Sequence, residues 1–333
     1  MKTQMKTQMK TQMKTQMKTG LGTNQLSCAT VDSFQTGGSI STNEWSPDRI
    51  PNDKSEGGDL MMESTAHYRS LPTGSVFRGR TVVVTGAAHG FGRAIAVLLV
   101  ERGATVMATD VLGDELVVTE QAMQEAAQYG GGGRTALLDV TDEASVQSLF
   151  RKLSADFGSV DILINNAGGV LGQVHKPIEE VTTSEWQSIL DVNLTGAFYC
   201  IQAVAPLMKA NRYGRIVNVS SGAGRSFSLT GIQAYASAKA GQIGLTRQMA
   251  RELGPFQITV NNVAPGFVRS NPTTEKQWQA MGEKAQEELI HSISLRRLGT
   301  TRDIAEAVLF FASDAAAWIS GQVISVDGGH HMF

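Results

Sequence analysis

The sequence is poor in cysteine, with only Cys28 and Cys200 among 333 residues. Two cysteines cannot build the disulfide framework of a small secreted domain, which fits a reducing compartment and predicts a cytoplasmic protein. The chain also has no apolar run near the roughly 18 residues that span a bilayer, so no membrane segment is expected. An excess of positive charge is missing too, because 29 Lys and Arg stand against 31 Asp and Glu. This balance gives no reason to expect nucleic acid or an anionic membrane as a partner.

The first 74 residues contain few apolar side chains. They open with MKTQ written four times, then MKTG, and continue rich in Ser, Thr, Gly and Asn. This segment has too little apolar surface to fold alone, it lacks the apolar core of a secretory signal, and the absence of arginine before Asp32 argues against a transit peptide. We predict a disordered low-complexity extension over 1–74, either a tail or an overextended gene start with Met61 or Met62 as the true beginning. The folded domain is expected over 75–333.

From about Val76 onward, buried-strand runs alternate with apolar helical patterns. Strands are expected at 81–86, 104–110, 135–140, 160–168, 214–221, 257–266 and 321–329, and the first two helices at 90–103 and 114–129. The glycine run at 130–133 is interpreted as a flexible loop. Strands that alternate with helices predict a parallel sheet covered on both faces. The fold class is therefore α/β, a single doubly wound domain with a seven-stranded sheet.

A glycine-rich segment, TGAAHGFG (85–92), joins the first predicted strand to the first helix. In this context Gly86 allows a tight turn, while Gly90 and Gly92 let backbone approach a pyrophosphate. The helix N-terminus offers free N–H groups and a positive dipole end to the phosphates. The segment predicts a Rossmann-type nucleotide site, with His89 and Phe91 of the loop among the contacting residues.

Asp110 ends the second predicted strand and indicates which nucleotide binds. A carboxylate in this place accepts hydrogen bonds from the adenosine ribose hydroxyls and would repel a 2′-phosphate. The three residues that follow include no arginine, so His89 is the only nearby group that could meet such a phosphate. The pattern predicts NAD rather than NADP.

Further motifs occur in the order typical of one family. They are Asp139-Val140, NNAG at 165–168, Asn193 in DVNLTG, Ser221 in IVNVSS, YASAK at 235–239, PG at 265–266 and SGQVISVDGG near the C-terminus. Together with the glycine loop, they make residues 76–333 resemble the classical short-chain dehydrogenase/reductases. The resemblance implies a nicotinamide-dependent oxidoreductase and assigns a catalytic set of Ser221, Tyr235, Lys239 and Asn193.

The resemblance also implies cofactor contacts, residue by residue. Asp139 would contact the adenine amino group, with Val140 beside it. Asn165, Asn166, Ala167 and Gly168 would shape the end of the central strand beneath the cofactor. Pro265 and Gly266 would lie beside the nicotinamide, Val268 would donate its N–H to the carboxamide, and Ser270 stands where the family commonly has threonine.

Tyr235 and Lys239 lie one helical turn apart, on one face. A tyrosine with a pKa near 10 is a poor base at neutral pH, and a neighbouring ammonium favours the phenolate and lowers that pKa. Tyr235 is therefore expected to exchange the proton of the substrate oxygen, and Lys239 to hold the nicotinamide ribose as well. Ser221 would orient the substrate oxygen, and Asn193 would anchor a water that leads protons from Lys239 to solvent.

Other features complete the expectation. Small residues around Gly241 permit close helix packing, and the resemblance implies a homotetramer or homodimer built on this helix and the one around 195–209. Cys200 is expected to be a buried small residue, and the adjacent His330 and His331 do not make a metal site. Residues 267–295 would form an amphipathic substrate lid, from which Arg269 and His291, with Arg225, could face an anionic substrate.

We therefore expect an NAD-dependent dehydrogenase acting on a small secondary alcohol, polyol, sugar or hydroxy acid, or on the corresponding ketone. One alternative is a carrier-protein-linked 3-oxoacyl reductase; this activity usually pairs with NADPH, and Asp110 counts against it. The other is a nucleotide-binding sensor without catalysis, against which the intact Ser221, Tyr235 and Lys239 argue.

Overall fold

The computed structural model of the protein describes residues 75–127 and 129–332. The extension predicted over 1–74 lies outside these residues, so that prediction and the domain boundary near residue 75 remain predictions.

Seven parallel strands form one sheet in the order β3-β2-β1-β4-β5-β6-β7. The strands are β1 (Thr81–Thr85), β2 (Thr105–Asp110), β3 (Gly132–Leu137), β4 (Ile162–Asn165), β5 (Gly214–Val219), β6 (Ile258–Pro265) and β7 (Val323–Val326). In the centre, Val82 pairs with Val106 on one side and with Ile162 on the other. The direction of winding reverses between β1 and β4, and in such sheets ligands bind at this reversal, outside the carboxyl ends of the strands.

Helices cover both faces of the sheet, as predicted. They are α1 (Gly90–Glu101), α2 (Gly113–Ala126), α3 (Glu143–Phe157), α4 (Thr183–Leu190), α5 (Gly196–Asn211), α6 (Gln233–Leu253), α7 (Pro272–Ser292) and α8 (Thr301–Ala312). One apolar cluster joins the sheet to α1 and α8 through residues such as Leu99 and Leu309. A second cluster joins the other face to α3 and α5 through Phe150 and Val204.

The glycine run at 130–133 is not simply the loop that we expected. Gly132 and Gly133 begin β3, which ends at Leu137 rather than at 140. A Cβ on Gly133 would lie 2.5 Å from Met123 Sδ of α2, so glycine is what allows this strand to run so close to the helix. Asp139 and Val140 consequently lie beyond the carboxyl end of β3.

A π-helical turn, Asp191–Thr195, joins α4 to α5 in one continuous helical run. By length and composition alone, the run Thr183–Asn211 could cross a membrane. Its residues Cys200, Val204 and Met208 are buried in the second apolar cluster, which is the behaviour of a core helix. π-helical turns inside α-helices occur frequently at functional sites, and this one carries Asn193.

Candidate active site

The glycine loop after β1 is shaped by close contacts that exclude side chains. A Cβ on Gly86 (φ 65°) would lie 2.7 Å from Ala167 Cα, and one on Gly92 would lie 2.1 Å from the carbonyl oxygen of Gly86. His89 occupies the N-cap position of α1 without capping it through its side chain, and Phe91 lies in the first turn. The first turn thus presents its backbone N–H groups at the loop, which suits an anion such as a pyrophosphate.

Asp110 lies at the carboxyl end of β2, next to this loop. Its Oδ2 accepts a hydrogen bond from Ala88 N at 3.0 Å, and its Oδ1 accepts one from Leu112 N at 3.2 Å. Both bonds fix the orientation of the carboxylate. The geometry suits the ribose acceptor that the sequence predicted.

The end of β4 is tied to the end of β1. Thr85 Oγ1 accepts hydrogen bonds from the backbone N–H groups of Asn166 and Ala167, both at 3.1 Å. Asn166 Nδ2 donates to the carbonyl oxygens of Thr85 and Gly86 at 3.0 and 2.8 Å. Asn165 is buried between the sheet and α5, where its Nδ2 donates to Asn218 Oδ1 at 2.9 Å and lies 3.5 Å from Ala197 O. Asn166 and Ala167 therefore fix the floor beneath the glycine loop.

Asp139 and Val140 follow β3 on the same edge of the sheet. Asp139 Oδ1 accepts from the backbone N–H of Thr141 at 2.8 Å and from its hydroxyl at 2.7 Å. Val140 is buried, and a Cβ on Gly196 would lie 2.6 Å from its Cγ2. The structure thus brings the predicted adenine-contacting pair to the edge that carries Asp110.

Pro265 ends β6, and the segment that follows passes over the glycine loop. Gly266 N donates to Val326 O at 3.0 Å, and Val268 pairs with Gly299 in an isolated bridge. The carbonyl oxygen of Ser270 lies 3.0 Å from where a Cβ on Gly90 would stand. The predicted nicotinamide side of the site and its pyrophosphate side are therefore adjacent.

Ser221 and Tyr235 meet after the carboxyl end of β5. Tyr235 lies in the first turn of α6, and the side chain of Ser221 is near enough to its phenol to lower the pKa of that phenol. Ser221 Oγ also accepts from Ala223 N at 3.1 Å, which orients the hydroxyl. Two neighbouring hydroxyl groups at a strand end can bind one carbonyl or alcohol oxygen between them.

Lys239 lies behind Tyr235, 3% exposed, with its Nζ 5.8 Å from the centroid of the tyrosine ring. Its Nζ donates to Val219 O at 3.1 Å. Burial lowers the pKa of Lys239 to about 7. Burial also raises the pKa of Tyr235, although its hydrogen bond with Ser221 lowers it. The lowered tyrosine pKa expected from the sequence is thus not what this structure shows, because desolvation of the phenol outweighs the other effects.

Asn193 of the π turn lies beside the lysine. Its Nδ2 donates to the carbonyl oxygens of Gly169 and Ile189 at 2.8 and 2.9 Å, and its Oδ1 accepts from Gly169 N at 3.0 Å. A Cβ on Gly168 (φ 155°) would lie 2.5 Å from Asn193 Oδ1 and 3.2 Å from Lys239 Nζ. Gly168 is therefore what lets Asn193 and Lys239 approach each other.

The residues suggested for an anionic substrate are engaged elsewhere. Arg269 makes two hydrogen bonds with Glu275, at 2.8 and 3.0 Å. Arg225 donates to Ser325 Oγ at 2.9 Å, and His291 Nδ1 lies 2.9 Å from Glu287 O. Helix α7 forms in the predicted lid, but Gly282 (φ 73°) interrupts it. The pairing of Arg269 with Glu275 removes the main support for an anion site in the lid.

Two further features were missed at the level of sequence. Arg93 Nε donates to Thr119 Oγ1 at 2.9 Å, its Nη2 donates to Ala88 O, and Thr119 donates to Ala87 O at 2.9 Å. These bonds lock the loop that orients Asp110, and only the tertiary contact of α1 with α2 reveals them. The second feature is Gln242, a buried amide beside Lys239. Gln242 lies three residues after the lysine, and this helical spacing could have predicted that the two side chains are neighbours.

Across the described residues, no cluster of three or more His, Cys, Asp or Glu side chains could hold a metal ion. His331 Nδ1 lies 3.6 Å from Asp327 Oδ2, and its ring lies 4.1 Å from that of His330.

Known proteins are similar to this chain in sequence and in fold. The family model described as enoyl-(acyl carrier protein) reductase matches residues 86–331. The chain belongs to the short-chain dehydrogenase/reductase family. One family member, the 3-oxoacyl-[acyl-carrier-protein] reductase FabG of Escherichia coli (strain K12), is 38% identical over 257 residues, which cover 77% of this chain and 99% of FabG.

Solved structures of the family agree on the fold. Levodione reductase superposes with a TM-score of 0.71 and 33% identity, covering 76% of this chain and 98% of its own. NAD⁺-bound xylitol dehydrogenase superposes with a TM-score of 0.70 and 31% identity, and the match covers 76% of this chain and 99% of the dehydrogenase. The protein is therefore an oxidoreductase of this family, with the doubly wound Rossmann-type fold that the sequence predicted.

Proposed function

We propose that the protein reduces a ketone to a secondary alcohol, and catalyses the reverse oxidation, with Tyr235 as the acid/base. The observation that carries this proposal is the placement of Ser221 beside Tyr235, with Lys239 behind the tyrosine ring, at the carboxyl edge of the sheet. A sensor without catalysis would have no need of a buried lysine at this place, because burying a charge is costly.

The chain's own residues suit a dinucleotide. The glycine loop leaves no room for side chains at Gly86 and Gly92, and α1 presents N–H groups there. Residues proposed to hold the coenzyme are Gly86, His89, Gly90, Phe91, Gly92, Asp110, Asp139, Val140, Asn166, Ala167, Gly168, Tyr235, Lys239, Pro265, Gly266, Val268 and Ser270. When bound, a nicotinamide coenzyme supplies or accepts the hydride.

In the reductive direction, Ser221 would hold the substrate carbonyl oxygen in place and Tyr235 would give it a proton. The raised pKa of Tyr235 keeps the phenol protonated at neutral pH, as a proton donor requires. Lys239 would stabilise the phenolate that forms, and Asn193 would connect Lys239 to solvent through a water. Oxidation of an alcohol uses the same groups in reverse.

NAD is the coenzyme that we propose, and Asp110 supports this choice. Its carboxylate is fixed by Ala88 N and Leu112 N, where a 2′-phosphate would meet a negative charge. Arg93, which lies beside the loop, is paired with Glu115 at 3.0 Å. NADPH remains the alternative that accompanies a 3-oxoacyl reductase.

For the substrate, the curated relatives favour the 3-oxoacyl reductase over the small alcohols first expected from the sequence. Relatives at 38% identity, covering nearly their whole length, are named 3-oxoacyl-[acyl-carrier-protein] reductases. The small-alcohol expectation has the support of the xylitol dehydrogenase structure, at 31% identity. We therefore propose a 3-oxoacyl thioester as the first substrate, and a polyol, sugar or hydroxy acid as the second candidate.

One comparison of initial rates tests these proposals. A 3-oxoacyl thioester with NADH and with NADPH is measured against xylitol and a hydroxy acid with NAD. Faster turnover of the thioester supports the reductase, whereas turnover of the alcohols alone supports the second candidate. Absence of turnover with any of them would favour the sensor.

We also propose that the protein assembles as a homotetramer or a homodimer and that it is cytoplasmic. Light scattering after size-exclusion chromatography measures the number of subunits.

A further inference from the structure

Gln242 lies on α6, three residues after Lys239, and is fully buried. Its Oε1 accepts a hydrogen bond from Lys239 Nζ at 3.4 Å, while Val219 O accepts one at 3.1 Å. Within the described residues, these two oxygens are the hydrogen-bond acceptors of the buried ammonium. Gln242 is therefore in direct contact with a group proposed to take part in catalysis.

The other end of the same amide is poorly placed for stability. Gln242 Nε2 is buried and makes no hydrogen bond among the described residues. An unpaired buried donor destabilises a fold, and an apolar side chain of similar size would avoid this cost. Local violations of this kind are expected at functional sites, where catalysis rather than stability decides the residue. The amide oxygen of Gln242 thus binds Lys239, whereas its amide nitrogen makes no hydrogen bond that would stabilise the fold.

Charged groups elsewhere do not substitute for this contact. No carboxylate of the described chain forms an ion pair with Lys239, and Tyr235 is the titratable group beside it. Of the carboxylates on elements that pack against α6, Glu185 of α4 pairs with Lys176, and Asp191 of the π turn accepts from Gln187. The strand β6 and the turn Gly222–Gly224 carry no titratable side chain. α5 carries Tyr199, the buried Cys200 and Lys209, whose ammonium lies 3.7 Å from Glu252. Neutral oxygens must therefore stabilise the ammonium.

We propose that Gln242 is a positioning residue for Lys239, whose side-chain oxygen holds the ammonium beside Tyr235 and favours its charged form. This inference rests on the proposed function, because the position of Lys239 matters only if Lys239 acts with Tyr235.

The test compares Gln242→Leu with the parent in ketone reduction across pH. Loss of the acceptor disfavours the ammonium, so the alkaline limb of the kcat profile should move to lower pH by at least about half a unit. The melting temperature should stay the same or rise, because the unpaired amide is gone. Gln242→Glu should move the limb to higher pH, since a carboxylate favours the ammonium more than an amide does.

A second readout needs no turnover. Competitive acetylation of the coenzyme-free protein with trace acetic anhydride, followed by mass spectrometry of the Lys239 peptide, measures the titration of Lys239. Its midpoint should be lower in Gln242→Leu than in the parent. The labelling midpoint does not depend on activity. Retained activity in Tyr235→Phe would therefore contradict the proposed function, but it would leave the measured effect of Gln242 on Lys239 unchanged.

Thr246→Val is the matched control. Thr246 is buried one turn further along α6 and bonds to Asn218, to Asn262 and to the backbone carbonyl of Gln242, but it touches neither the Gln242 side-chain amide nor Lys239. It should lower the melting temperature without moving the titration of Lys239. The proposal is overturned if Gln242→Leu gives the parent's pH profile and labelling midpoint, or if Thr246→Val shifts them equally.

Discussion

The carboxylate of Asp110 accepts a hydrogen bond from the backbone N–H of Ala88 at 3.0 Å, which joins the end of β2 to the glycine loop after β1. Arg93 and Thr119 hold the opposite side of the same loop through the carbonyl oxygens of Ala87 and Ala88. The carboxylate to which we assign the choice between two coenzymes is therefore held in place by backbone N–H groups.

This relationship leads to a prediction about coenzyme choice. Asp110→Ser should lower the ratio of kcat/KM with NADH to kcat/KM with NADPH by at least about tenfold, because a charge-assisted hydrogen bond contributes about 1.5–3 kcal/mol. Adding Val111→Arg should favour NADPH further by supplying a partner for the phosphate. Steady-state kinetics with both coenzymes measure the ratio.

Asp114→Ser is the matched control for charge alone. Asp114 is an exposed carboxylate in the first turn of α2, and its loss should leave the ratio nearly unchanged. A parent enzyme that already prefers NADPH would contradict the role assigned to Asp110.

The second prediction concerns proton transfer. Tyr235→Phe should keep coenzyme affinity within a few fold but lower kcat by about 10²–10⁴, because the acid/base hydroxyl is lost while the ring remains. NADH fluorescence titration measures binding, and initial rates measure turnover. Tyr199→Phe removes a hydroxyl from α5 and should leave both values unchanged. Activity of Tyr235→Phe within tenfold of the parent would rule out Tyr235 as the acid/base.

The sequence predicted the sheet and the placement of its motifs well, for a physical reason. Strands of a parallel sheet are buried on both faces, so runs such as Val82–Val84 stand out against the helices between them. The glycine loop, Asp110, Asn166 and Ser221 each end or follow a strand, and the carboxyl ends of parallel strands meet at one edge. The pattern of strands and motifs is therefore sufficient to place Asp110, Asn166 and Ser221 together.

What escaped prediction depends on contacts between distant residues. The start of β3 was missed because glycine disfavours strands, and only the contact of Gly133 with Met123 explains its use. The pKa of Tyr235 was expected to be lowered, because spacing shows that Lys239 is near but does not show how deeply the phenol is buried. The pairing of Arg269 with Glu275 likewise requires the turn that begins α7.

A third prediction tests the glycine loop. A Cβ on Gly92 would lie 2.1 Å from Gly86 O, a backbone atom, so Gly92→Ala must displace the loop or the helix. We expect a loss of about 1–3 kcal/mol in the free energy of unfolding, as for other overpacked sites. NADH affinity should fall at least tenfold because the phosphate-binding loop has moved.

The control for Gly92→Ala is Gly132→Ala at the start of β3, where a Cβ would meet nothing within 4 Å. It should change the free energy of unfolding by no more than about 0.5 kcal/mol, and it should leave NADH affinity unchanged. Equal effects of the two variants, in urea unfolding and fluorescence titration, would contradict the close packing of the loop.

The last prediction follows from the burial of Lys239. Its pKa is about 7 in the folded protein, below its ordinary value of 10.5. Between these values the unfolded chain binds more protons than the folded one, so the free energy of unfolding rises with pH. The destabilisation due to burying Lys239 is thus complete below pH 7 and disappears toward pH 10.5.

Lys239→Met lacks this ionisable group. It should be more stable than the parent near pH 7, and its advantage should shrink as pH rises to 9.5, by at most about 1.4 kcal/mol per pH unit. Urea unfolding at fixed protein concentration measures the difference between the two proteins at each pH. Lys152→Met, at an exposed position of α3, should differ from the parent by a constant amount over the same range. A constant difference for Lys239→Met as well would mean that burial leaves the lysine near its ordinary pKa. A charged lysine throughout the physiological range would then stand beside Tyr235, and the pH dependence of reduction would have to come from the tyrosine alone.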